Sequence, residues 1–152
     1  CRRAVPSAGR RRAARRLTRF RERWEHAADF CPTESAGHAG TLAAEAVEQG
    51  YEVVAAAGGD GTVHEVAGGV LQAGAEDVTF AVVPLGSAND YAFSIEQQFG
   101  TAQLNDDTSH PVDVGVLRTD RDAHFFVEGV GIGLSAQITV ESRKIPHRQG
   151  LW

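Results

Sequence analysis

Val53-Val54-Ala55-Ala56-Ala57-Gly58-Gly59-Asp60-Gly61-Thr62-Val63-His64-Glu65-Val66 passes from an apolar run through a glycine turn into a helical pattern. The run over residues 52–57 predicts a short buried strand, and Val63, Val66, Ala67, Val70 and Leu71 form one helical stripe after it. Upstream, Ala39, Leu42, Ala43, Ala46 and Val47 predict a helix over residues 37–50. Downstream, residues 79–83 read as a second strand and residues 89–98 as a third helix. Strands alternating with helices predict an α/β fold, with a mostly parallel sheet and helices on both faces. The pattern changes after Gly100. Residues 101–111 are polar and irregular, while residues 112–117 and 124–127 predict two strands joined by a polar turn at 119–122. The expected division is therefore 1–110, an α/β domain, and 111–152, the incomplete beginning of a β-rich second domain.

The glycine turn carries the chemistry. Glycines let backbone N–H groups approach an anion closely, and a helix N-terminus adds partial positive charge, so strand, glycine turn and helix together suit a phosphate. Thr62 and Glu65 have capping-box spacing. Asp60 would repel bound phosphates unless a cation stood between them, which points to Mg²⁺. A second loop, Pro84-Leu85-Gly86-Ser87-Ala88-Asn89-Asp90, lies between the next strand and helix. Parallel strands bring such loops to one crevice at their carboxyl ends. There Ser87 can donate a hydroxyl hydrogen bond to phosphate, Asn89 can bond ligand or backbone, and Asp90 can join Asp60 around a cation or its waters. As a purely local alternative, Ser87 caps the helix with Asp90 as its partner.

The chain has 152 residues, 42% hydrophobic and 23% charged, enough for one core and unlike a coiled coil or a disordered chain. No apolar run approaches the ~20 residues that cross a bilayer. Two cysteines, Cys1 and Cys31, give no disulfide framework and suit a reducing compartment. With no methionine, Cys1 at its start and no closing element before Leu151-Trp152, the chain is expected to be a piece of a longer protein. The net charge of −5 is uneven, because residues 1–25 hold ten of the fifteen basic residues and residues 26–152 carry a net −13. Ala13, Leu17, Phe20, Trp24 and Ala27 recur at helical spacing, so those arginines read as the wet face of an amphipathic helix rather than as a nucleic-acid patch.

The two glycine motifs, Gly58-Gly59-Asp60-Gly61-Thr62 with Glu65 and Pro84-Leu85-Gly86-Ser87-Ala88-Asn89-Asp90, resemble those of the diacylglycerol kinase catalytic-domain family, most of all its bacterial YegS-like lipid kinases. The resemblance extends over nearly the whole chain: Pro6-Ser7-Ala8-Gly9 is similar to the family's first phosphate loop, and Val112-Asp113-Val114-Gly115 to its entry into the second domain. It implies an NAD kinase/diacylglycerol kinase-like α/β domain followed by an antiparallel β-sandwich, and transfer of the γ-phosphoryl of ATP to a lipid hydroxyl. The nucleotide contacts it implies fall on Thr33, Gly58, Gly59, Asp60, Gly61, Thr62, Val63, His64, Glu65 and Ser87. Its Mg²⁺, held through water, falls on Asp60, Asp90 and Asp113, with Asp60 also catalytic. The resemblance puts the general base in the second domain, beyond Trp152, so the chain alone is expected to be inactive. Val5 and Glu128 stand where the family usually has asparagine, and His64 where asparagine is common.

Other chemistries lack their residues. Six histidines show no H-x-x-x-H spacing, there is no G-x-S-x-G elbow, and Gly129-Val130-Gly131-Ile132-Gly133 reads as a strand-to-helix turn. Two rival functions stay open: an NAD-kinase-like enzyme, in which Asp60 polarises a hydroxyl, and a non-catalytic nucleotide-binding domain. The basic cluster Arg143, Lys144, His147 and Arg148 can meet anionic headgroups. The partners expected are ATP and a lipid at a membrane surface, with no nucleic acid, and the acidic body with an exposed hinge edge suits a homodimer. The expected location is cytoplasmic, including peripheral sites at the inner membrane face.

Overall fold

The computed structural model describes residues 15, 17–19, 22, 28–74, 77–99 and 109–142. The first phosphate loop at Pro6-Ser7-Ala8-Gly9 and most of the amphipathic stripe (Ala13, Phe20, Trp24, Ala27) lie outside these. So do the basic cluster after residue 142 and the end of the chain at Trp152, beyond which the general base is expected. In chain order the elements are α1 (His38–Glu48), β1 (Val53–Gly58), α2 (Asp60–Gln72), β2 (Thr79–Pro84), α3 (Asp90–Phe99), β3 (Gly115–Arg118), β4 (Ala123–Phe126) and α4 (Leu134–Ser142). Each expected helix and strand within the described residues is found with its boundaries moved by a few residues. The largest change is at β3, which begins only at Gly115, leaving Val112, Asp113 and Val114 outside regular structure.

β1 and β2 pair in parallel from Val53↔Thr79 to Gly58↔Pro84, with α2 as the crossover between them. The ladder runs one bond further, as Leu85 N–H donates to the Gly58 carbonyl at 2.9 Å. α1 stops cleanly before β1. Gly50 takes φ +83°, and the N–H groups of Gly50 and Tyr51 close onto the carbonyls of Val47 and Ala46 at 3.0 and 3.1 Å. This is the Schellman arrangement, which satisfies carbonyls that the helix end leaves open.

The core is built mostly of small residues: Ala39 and Ala43 of α1, Val54 and Ala56 of β1, and Val63, Val66 and Val70 of α2, with Tyr91 of α3 as its one large member. Small residues let backbones approach. A side chain at Gly69 of α2 would run into the Gly40 carbonyl of α1 and come within 3.0 Å of the Ala43 methyl, so the two helices meet main chain to main chain. β1 alternates: Val54 and Ala56 are buried, whereas Val53 is 51% exposed and Ala55 and Ala57 are also open. Among the described residues the helical side chains therefore gather in one cluster on the Val54 and Ala56 face. Of the cover expected on both faces of the sheet, the described residues show that on one.

Tyr91 packs its ring 6.2 Å from that of Phe80, yet its buried hydroxyl has no hydrogen-bond partner among the described residues. Burial also raises its pKa above the ordinary value of 10.0. An unpaired buried hydroxyl is a net penalty, so Tyr91→Phe should gain about 1 kcal/mol in thermal or urea unfolding. A loss of stability in that variant would show that the hydroxyl is satisfied.

β3 and β4 form the expected antiparallel hairpin, in register from Gly115↔Phe126 to Arg118↔Ala123. Its turn is closed by Thr119, whose N–H donates to the Asp122 carbonyl at 2.8 Å and whose hydroxyl oxygen accepts from the Asp122 N–H at 3.0 Å. β4 packs on α2, and Val127 joins the edge of the core. Gly133 (φ +72°) turns the chain into α4, as expected of the glycines at 129–133. Among the described residues no helix is long and apolar enough to cross a membrane.

Candidate functional site

Gly58 closes β1 and Gly59 precedes α2 in an extended conformation (φ −95°, ψ −175°), so the helix begins at Asp60. This removes the expected capping box. Thr62 is already the third residue of the helix and no side chain caps the end. Thr62 instead folds back on Gly58, where a Cβ would come within 2.9 Å of its methyl carbon and closer still to its other side-chain atoms. Asp60 places its charge in the first turn, where the helix dipole favours an anion. The N–H of Val63 donates to the Gly59 carbonyl at 3.0 Å, whereas those of Asp60, Gly61 and Thr62 find no acceptor among the described residues. Three orphan donors at a glycine turn are available to an anionic ligand.

The second loop is organised differently. α3 begins at Asp90, preceded by Asn89 in the left-handed region (φ +59°), so Ser87 is not its cap and the expected pairing of Ser87 with Asp90 does not form. The cap comes from across the crevice. Asn89 N–H donates to Asp60 Oδ2 at 2.9 Å and Tyr91 N–H to Asp60 Oδ1 at 3.4 Å. One carboxylate thus sits in the first turn of α2 while accepting from the first turn of α3. The two loops also touch directly: a Cβ on Gly59 would stand 3.1 Å from Gly86 Cα.

Carboxylates collect at this junction. Glu128, just after β4, has its pKa raised above the ordinary 4.5, first by partial desolvation and then by the charges of Asp60 and Asp90. Asp113 is exposed in the irregular segment before β3, and its charge is not among those acting on Glu128. No group of three or more His, Cys, Asp or Glu side chains is placed to hold a metal directly, among the described residues. Asp60 and Asp90 both raise the Glu128 pKa, so the three carboxylates share one electrostatic neighbourhood, chemically compatible with a hydrated divalent cation though not with one held directly.

The sign of the Glu128 shift fixes a pH dependence. An acid whose pKa is higher folded than unfolded favours the protonated fold. Its contribution is complete below the ordinary carboxyl range and is lost as pH rises through the raised folded value. Glu128 is exposed, so solvent screens the effect; Glu128→Gln should slightly flatten the decline in urea midpoint as pH rises above the ordinary carboxyl range. An unchanged slope would remove Glu128 from the cluster.

The remaining expected residues scatter. Val63 is corrected: its side chain is 3% exposed in the core and its N–H is spent on Gly59, leaving no donor for a nucleotide. His64 and Glu65 line an open groove of about 540 Å³ between α1, α2 and β4, whose other walls include Thr41, Glu45 and His124, and neither glycine loop borders it. Thr33 lies in the exposed segment before α1, which Tyr51 tethers through a hydrogen bond to Asp29. Ser87 is exposed in its loop. Glu128 and the capping role of Asp60 were missed. For Glu128 the available signal was a carboxylate directly after the strand predicted at 124–127.

The sequence profile of the diacylglycerol kinase catalytic domain matches residues 5–117. A probable lipid kinase YegS-like of Chromohalobacter salexigens is 38% identical over 126 residues, which cover 80% of this chain and 39% of that protein. One of the same description from Pseudomonas aeruginosa is 33% identical over 113 residues, covering 72% of this chain and 37% of the relative. A diacylglycerol kinase of Staphylococcus saprophyticus is 42% identical over 59 residues, 39% of this chain and 19% of its own length. The chain spans about two fifths of the length of the first of these relatives. No solved structure gives a significant match.

Proposed function

This chain belongs to the diacylglycerol kinase catalytic domain family, and on that premise we propose that it supplies the nucleotide-binding half of an ATP-dependent lipid kinase. The observation that carries the reading is the contact of two glycine loops beside the free first-turn amides of α2, with Asp60 and Asp90 at the same junction. In this reading the N–H groups of Asp60, Gly61 and Thr62 receive phosphate oxygens, Gly61 leaves the approach open, and Gly58 and Gly59 make room for Thr62 and Gly86. Ser87 adds a hydroxyl contact from the second loop; Thr33 is carried as a contact by the family resemblance, as are His64 and Glu65, which line the groove that neither glycine loop borders. Asp60 and Asp90 would hold Mg²⁺ through water, with Asp113, exposed before β3, as the third carboxylate that the family resemblance implies. Bound there, the cation would neutralise the polyphosphate and the charge developing on transfer.

Residues 1–110 form the nucleotide half in this proposal, and 111–152 open a second, β-sandwich domain. The general base and the lipid site belong to the part of that domain that follows Trp152. Phosphoryl transfer is mainly positioning and charge neutralisation, which suits a half built of backbone amides and carboxylates. The acceptor is a lipid hydroxyl of the diacylglycerol type, met at a membrane surface on the cytoplasmic side. The relatives whose names state lipid or diacylglycerol kinase support this choice.

The test is calorimetry of Mg²⁺-ATP on this chain and on Asp60→Ala, with NAD as competitor. Saturable Mg²⁺-dependent binding that is lost in the variant and indifferent to NAD is the expected result. Failure of the folded chain to bind ATP would sink the reading, and preferential binding of NAD would transfer it to the dinucleotide kinases.

A further inference from the structure

We propose that Asn89 is the positioning residue of this site, fixing the first glycine loop from the second; the inference rests on the nucleotide reading above. Asn89 takes φ +59°, a conformation that glycine adopts at no steric penalty and that asparagine tolerates best among the other residues. Its side chain uses what glycine lacks. Asn89 Oδ1 accepts the Gly86 N–H at 2.8 Å and Nδ2 donates to the Gly86 carbonyl at 3.0 Å, so both polar ends of the amide close on one residue. Its main chain is committed too, as the N–H goes to Asp60 at 2.9 Å and the carbonyl accepts the Phe93 N–H at 3.0 Å, the first turn of α3.

Gly86 is thus held in place by Asn89 and lies against Gly59, the residue that precedes the free amides of α2. The space for Gly86 is tight on both sides, since a Cβ there would stand 2.8 Å from Asn89 Oδ1. The Gly86 N–H is spent on Asn89, and the N–H groups of Asn89 and Tyr91 are spent on Asp60. With those three amides closed to a phosphate, the second loop meets one in the nucleotide reading through the exposed Ser87. Its work is to set the height of Gly59 and the direction of the Asp60 carboxylate. Asn89 touches no ligand in this arrangement and acts through Gly86 and Asp60.

Asn89→Gly separates the two roles, because glycine keeps the backbone conformation and loses only the paired bonds to Gly86. The experiment records amide NMR spectra and hydrogen exchange of the ligand-free chain and its variant, thermal midpoints of both, and titrations with Mg²⁺-ATP. The expected result is displaced Gly59 and Gly61 amide signals, faster exchange at residue 89 and Tyr91, and a near-unchanged midpoint. Affinity should fall about tenfold, the scale of one or two hydrogen bonds lost from a preorganised loop. Unmoved Gly59 and Gly61 signals, or affinity within about twofold of the parent, would overturn the proposal and make Asn89 a turn residue only. A parent chain that binds no Mg²⁺-ATP while its Gly59 and Gly61 signals still respond to the substitution overturns the nucleotide reading and supports the positioning role.

Discussion

Asp60→Ala is expected to abolish the proposed Mg²⁺-ATP binding by this chain and to lower its stability by about 1–3 kcal/mol, the scale of charged hydrogen bonds and of a lost helix cap. Both losses come from the same two oxygens. They accept the N–H groups of Asn89 and Tyr91, so the truncation leaves the start of α3 uncapped and releases the second loop from the first. It also removes a charge from the cluster that Glu128 senses. Asp60→Asn is the sharper variant. Its amide keeps one acceptor and turns an NH₂ group toward a donor, so one of the two bonds to α3 is lost. Transfer in a complete protein, one that continues past Trp152 into the rest of the second domain, should fall at least about 10²-fold, the scale of removing one preorganised electrostatic group. The lost bond makes a modest destabilisation part of the expected result. Denaturant unfolding beside kinetics separates the two effects, and near-normal turnover would end the assignment of Asp60.

Gly69→Val should be the most damaging single change in the core, at least about 3 kcal/mol from a total stability that is typically about 5–15. The new side chain meets the Gly40 carbonyl and the Ala43 methyl, and neither is the far end of a flexible side chain that can swing aside. The helices must separate, and that opens the contacts among Ala39, Ala43, Val66 and Val70. The neighbouring residue is an internal control. A Cβ at Gly68 meets nothing within 4 Å, so Gly68→Ala should gain up to about 1 kcal/mol from helix propensity alone. Urea unfolding of both variants reads the contrast, and equal effects would mean that α1 and α2 are not packed as closely as described.

What the sequence made legible was whatever has a local period. The stripe at Val63, Val66 and Val70 placed α2, the alternation of apolar runs with helices placed a parallel pair, and the polar residues at 119–122 placed a hairpin turn. The two glycine motifs were read correctly as neighbours, because parallel strands deliver their following loops to the same edge. The misses concern partners far apart in the chain. The bond from Asn89 to Asp60 spans 29 residues, and no local spacing encodes it. Capping-box spacing at Thr62 and Glu65 looked sufficient, yet with Gly59 extended the helix starts three residues earlier. Val63 followed the motif into the candidate nucleotide set, although its place on the helical stripe already committed it to the core.

The contact between Gly59 and Gly86 also bears on the entropy of recognition. A pocket lined by long side chains must freeze their rotamers when a ligand arrives, at about 0.5–1.5 kcal/mol for each one immobilised. Here the floor is main chain on main chain, already ordered by two strands and two helices, and most of that loss is met during folding. A guest resting on it would bind with an unusually small configurational penalty, and its affinity would vary with ionic strength more than with temperature.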